Sequence, residues 1–270
     1  MLNALFAPGS CHRFQWVVRG LAVLIGVRVA LGPYRALAGQ PGALFRPVWF
    51  LELLPAMPSA AVFVALQVVG VAGALGVLAL RGRRRWVAFV VAWLAYLVLA
   101  GLRSSLGKTL HNDVLLLLAA VPFLWPVSDD DEADCGWPVR LASAVVASGY
   151  FFAGLAKLRH SGLAWVTGDN MRYILSWAVI DGRMRFDSWT AWVADRAWLS
   201  TASAAGILAL ELGAPVAVAV RVLRPAFVGA AAALHVATWF LLGLDYWAWI
   251  GTVVVVLVDW DRLRAPAAAE

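Results

Sequence analysis

The sequence predicts an all-α integral membrane protein, a polytopic helical bundle of about eight transmembrane helices in one membrane-embedded domain, 1–270. Three observations carry this: composition, the length of the apolar runs, and where the charges fall. Of 270 residues, 63% are hydrophobic and 14% charged, whereas a soluble domain carries about 25% charged residues. Runs such as Ala60–Leu80 and Ser200–Val220 are long enough to span a hydrocarbon core about 30 Å thick. A backbone in lipid must satisfy its own polar groups, so these runs are helices. The alternating strands of about ten residues that build a membrane barrel are not seen.

The spans read in order as Phe14–Leu31, closed by Gly32-Pro33; Ala60–Leu80; Trp86–Leu102; Leu110–Trp125, short and polar at its start; Val139–Ala156; Ser200–Val220; Ala226–Leu244; and a short Tyr246–Val258. At 1.5 Å per residue, 226–258 is about 50 Å long, too much for one span. Gly243-Leu244-Asp245 is the expected break, leaving a hairpin or one helix with a broken end. Asp129–Asp134 is an acidic loop, and Pro266 with the terminal alanines reads as a frayed tail.

The net charge of +6 does not point to nucleic acid, because the basic residues sit in short loops between spans. That is the pattern of membrane topology. Arg81, Arg83, Arg84 and Arg85 orient the chain with its amino terminus in the cytoplasm, at the cell membrane. Arg140, Arg221, Arg224, Arg262 and Arg264 then fall inside, and Arg35, Arg46, Arg103 and Lys108 outside. Residues 157–199, with Trp165, Trp177, Trp189, Trp192 and Trp198, form an outer segment suited to the headgroup layer. Met1–Ser10 lacks the basic start of a signal peptide. Cys11 and Cys135 show no disulfide framework and no metal-ligand spacing, and the four histidines show no cluster, so no metal is expected.

Ionisable groups inside a membrane each need an explanation. Lys157 either snorkels to the headgroups or is a neutral base in a dry site. His111, followed by Asn112 and Asp113, and His235 are either helix-packing histidines or site residues. In this topology His111 and Lys157 share the outer depth. Glu211 is either protonated or paired, with Arg19 or Arg28 as the expected partner. Gly70, Gly73 and Gly76 are expected to let helices pack closely.

The stretch Tyr150–Leu158, then Trp165, Gly168 and Met171, resembles the vitamin K-dependent gamma-carboxylase and its bacterial relatives, the horizontally transferred transmembrane (HTTM) domain proteins. His111 with the apolar run to Trp125-Pro126, Glu211 with Pro215, and His235 with Phe240 and Gly243 fit in the same order. The resemblance runs from about Arg13 to Arg264. It implies a membrane domain that binds a reduced quinone, with Lys157 at the catalytic lysine and His111 and His235 orienting or stabilising the hydroquinone oxyanion. Tyr150, Asn112, Trp165 and Glu211 would line that site. The preceding lysine of the carboxylase pattern is Ala156 here. The sequence ends soon after its last span, so a propeptide grip and glutamate carboxylation are not expected. The expected function is quinone-dependent, hydroquinone-oxidising chemistry. The alternative is a non-catalytic accessory or immunity protein that binds a lipid or peptide. A transporter fits less well, because the chain has no internal repeat.

Overall fold

In the computed structural model, which describes residues 5–106, 111–128, 131–182 and 184–261, every regular element is helical. Lys108, Asp129, Arg262 and Arg264, named above for topology and loops, lie outside the described residues. Six helices are long and apolar enough to cross a membrane. They are α1 (Cys11–Leu31), α2 (Ala60–Ala79), α3 (Gly82–Ser104), α5 (Glu132–Ser161), α9 (Ala197–Ala219) and α10 (Arg224–Leu242). Two shorter apolar helices correspond to the remaining spans read from the sequence: α4 (Val114–Ala120), extended by a 3-10 turn to Leu124, and α11 (Trp247–Leu257). The polar start of the fourth span, His111–Asp113, is a turn ahead of α4, which is why that helix is short. The chain forms two compact units, residues 1–142 with 259–270, and residues 143–258.

In the first unit α1 buries Phe14, Val18, Leu21, Ile25, Arg28 and Val29, a stripe at helical spacing. α2 buries Phe63, Gly70, Gly73, Ala74 and Val77. The glycines serve as the spacing implies. A Cβ on Gly73 would lie 2.9 Å from both the Ala88 carbonyl oxygen and the Ala92 nitrogen of α3. One on Gly70 would meet Val29 at 3.0 Å and Ala95 at 3.2 Å. Close backbone approach is the principal source of packing energy where lipid removes the hydrophobic drive. The outward face of α2 keeps Val62, Val68, Val69, Leu75 and Leu78 exposed. Such a face would be an aggregation hazard in water and is the surface lipid requires.

The cysteines correct the sequence reading. Cys11, which opens α1, and Cys135, in the first turn of α5, are joined in a disulfide. Their separation of 124 residues leaves no local signature of the pairing. Near this bond the chain's last described residues dock on the start of α1. Ser10 donates to Asp261 at 2.7 Å, and Trp16 stacks on Trp260 with ring centroids 5.8 Å apart.

In the second unit α5 continues to Ser161, so the first residues of the 157–199 segment are helical. The rest forms three short helices, α6 (Ala164–Thr167), α7 (Asn170–Asp181) and α8 (Asp187–Ala194). Met171, Leu175, Ala194 and Ala204 form their buried centre, while Trp177, Trp189, Trp192 and Trp198 stay exposed. Gly243, at φ 65°, ends α10 in the left-handed conformation that glycine adopts at no steric cost. α11 then packs back on α10, so 226–258 is two helices and not one.

Candidate functional site

Tyr150, Gly154 and Lys157 follow at i, i+4 and i+7, and so lie on one face of α5. Gly154 brings that face against α9, since an added Cβ would stand 3.0 Å from the Glu211 Cβ and 3.1 Å from Leu212. One helical turn further on, Lys157 Nζ donates to both carboxylate oxygens of Glu211, at 2.6 and 2.8 Å. The carboxylate is 9% exposed and the lysine 22%. The amine also lies 5.4 Å from the centroid of the Trp165 ring. The Nε1 of Trp165 is buried and has no hydrogen-bond partner among the described residues.

A second pair stands on the same stripe. The Tyr150 hydroxyl is 2.7 Å from His235 Nε2 of α10. The phenol donates in the tautomer that carries its proton on Nδ1. That Nδ1 is buried without a hydrogen-bond partner among the described residues. Aromatic rings wall the pair in: Phe227 is 5.3 Å from Tyr150, and Tyr246 and Trp249 are 5.2 and 5.7 Å from His235.

The second unit thus brings together Lys157, Glu211 and Trp165, and separately Tyr150 and His235. The expectation that Arg19 or Arg28 neutralises Glu211 is corrected, because the partner is Lys157. Lys157 is accordingly bonded to Glu211 and partly buried. His111 and Asn112 belong to the first unit, where His111 is exposed in a turn and Asn112 is half-buried. The next residue, Asp113, is the polar centre of that unit, which sequence reasoning passed over. It is 3% exposed, accepts from Arg28 Nε at 2.6 Å and from Tyr96 at 2.7 Å, and lies 3.9 Å from Arg103. The available signal was Arg28 itself, since a cation within the last turn of a span calls for a partner.

Chemically, the Lys157–Glu211 pair sets an amine donor against a carboxylate acceptor. The buried ring nitrogens of Trp165 and His235 are hydrogen-bonding capacity that the described residues leave unused. Among the described residues, no three His, Cys, Asp or Glu side chains gather as a metal site requires. Comparison with protein-family models, with curated proteins and with solved structures gives no match.

Proposed function

We propose that the second unit binds a reduced quinone or similar phenolic headgroup from the bilayer and moves a proton from it. This is the chemistry that the resemblance to the HTTM proteins and the gamma-carboxylase implies. The observation that carries it is the α5 stripe. It bonds Lys157 to Glu211 and Tyr150 to His235, and beside each pair stands a buried ring nitrogen without a hydrogen-bond partner among the described residues. Those nitrogens suit the oxygens of a phenolic ring, and the aromatic wall suits its faces. When bound, the quinol would supply the redox chemistry. Glu211 and Lys157 would take up the hydroxyl proton as a coupled base, and the low-dielectric surroundings would favour proton transfer over charge separation.

The two bonds from Lys157 to Glu211 also suit a second reading. There the pair is a structural clasp between α5 and α9, in a non-catalytic membrane protein that holds a lipid or peptide. Lys157→Arg separates the readings. Arginine keeps the charge and the two-pronged bond to a carboxylate, but it cannot give up its proton at any working pH. The expected result is normal expression and stability with loss of the deletion phenotype's rescue. Full rescue by the arginine variant would leave the clasp. Mass spectrometry of small molecules extracted from the purified protein is the companion measurement: quinone supports the enzyme, and phospholipid or peptide the accessory role.

The proposed orientation keeps the amino terminus in the cytoplasm, on the strength of the Arg81–Arg85 cluster. The disulfide pulls the other way. Cys11 is one turn from Gln15, which lines a cavity with those arginines, and disulfides persist in oxidising compartments. With the amino terminus inside, Cys11 and Cys135 are expected as thiols in intact cells. Acid trapping followed by alkylation and a gel-shift count of free thiols reads this directly. Tags at residue 83 and near Ser188 should report cytoplasm and outside. A trapped disulfide together with an external tag at residue 83 would invert the topology.

A further inference from the structure

Three of the arginines that the sequence offers as topology signals, Arg81, Arg83 and Arg85, line a cavity. It measures about 1060 Å³ in the first unit and is lined by Arg19 and Gln15 of α1 and by Arg81, Arg83, Arg85 and Trp86 at the start of α3. Among the described residues that line it, none is acidic. Arg81 and Arg83 are exposed at its rim, and Arg85 is buried, at 4% exposure. Arg19 lies eight residues into α1, so it sits about 12 Å along the helix from its first residue. It is half-buried, its Nε is fully buried, and it has no hydrogen-bond or ion-pair partner among the described residues. A cation at that depth in a membrane helix is costly unless an anion meets it.

A topology signal alone requires neither feature. Loop arginines orient a chain while fully exposed, and they need no cavity. A guanidinium without a partner among the described residues, facing a hollow whose described lining is basic and holds no carboxylate, is what a phosphate group fills. Guanidinium presents paired N–H donors that match two phosphate oxygens. Basic pockets between spans at the membrane surface take up phospholipid headgroups in this way. Trp86 supplies an apolar wall, and its indole N–H is already committed to the Leu124 carbonyl at 2.9 Å.

We infer that this cavity is a phosphate site, with Arg19 and Arg85 as its floor and Arg81 and Arg83 at its rim, occupied by the headgroup of an anionic phospholipid. The site is independent of the chemistry proposed for the second unit.

The test uses the full chain in nanodiscs of phosphatidylcholine, with and without phosphatidylglycerol, and in phosphatidylcholine with added inorganic phosphate. Thermal unfolding is the readout. Phosphatidylglycerol is expected to raise Tm in a saturable way, with no effect of inorganic phosphate. A rise with both would support the phosphate chemistry and show that the source extends to soluble phosphate. Arg19→Lys keeps the charge and loses the fork, and it should weaken the phosphatidylglycerol response roughly tenfold or more in apparent Kd. Arg83→Gln, at an exposed position that folding does not need, should weaken it as well. No response to either additive would overturn the site. So would a response that Arg19→Lys and Arg83→Gln leave unchanged, because diffuse attraction of a basic surface would then account for it.

Discussion

Glu211→Gln is expected to lower stability by roughly 3 kcal/mol, the lower end of what breaking a buried ion pair costs. The low end applies because Lys157 is 22% exposed and retains some contact with headgroups or water, whereas the carboxylate is 9% exposed. Glutamine preserves shape and one acceptor oxygen but leaves the lysine's charge without a counterion. The complementary double variant Lys157→Met/Glu211→Met should recover most of the loss. Two apolar side chains of similar length remove both desolvation penalties at once, and such replacements are often neutral or stabilising. Thermal unfolding in detergent or nanodiscs measures both. The pair of variants also bears on function. If the ion pair is only a clasp between α5 and α9, the double variant restores the deletion phenotype along with the fold. If it is the base, the double variant is stable and inactive. A mild effect of Glu211→Gln alone would mean that the carboxyl is protonated and the pair contributes little.

How much of this was legible in the sequence follows from the range of the interactions. Each helix boundary is set by residues within a few positions of one another, such as Gly32-Pro33 after α1 and Gly243 after α10, and these were readable. So was the role of Gly70 and Gly73, since small residues at helical spacing need no knowledge of the neighbour to be recognised as a packing face. Partners were not. Periodicity places Tyr150, Gly154 and Lys157 on one face of α5, but it does not say which helix that face meets. Glu211 announced that it needed a partner, and the choice fell on arginines in α1 because depth alone does not discriminate among cations. The Cys11–Cys135 bond spans 124 residues and leaves no local trace. The basic run at Arg81–Arg85 was visible, but its enclosure with Arg19 depends on how α1 and α3 pack.

The same limit explains why Asp113 escaped notice, and the largest effect of any single substitution in the first unit is expected there. Asp113→Asn should cost about 3–5 kcal/mol. Arg28 and Asp113 are 5% and 3% exposed, so neither charge has solvent to fall back on. Asparagine can still accept from Arg28 and Tyr96, which makes the variant a test of charge and not of hydrogen-bond count. The loss is compounded by Arg103, 3.9 Å from the second carboxylate oxygen: removing the Asp113 charge leaves Arg28 and Arg103 both facing a neutral amide. The Tyr34 ring is fully buried and its hydroxyl has no hydrogen-bond partner among the described residues. Burial and the nearby Asp113 charge push that phenol above its ordinary range, so it offers no compensating anion. Arg28→Gln combined with Asp113→Asn makes the cluster neutral, and it should be more stable than Asp113→Asn alone despite carrying one substitution more. Unfolding temperatures of the two variants in the same detergent decide it. If Asp113→Asn unfolds within a degree or two of the wild type, the Arg28–Asp113 pair is not what holds α1 to the turn before α4.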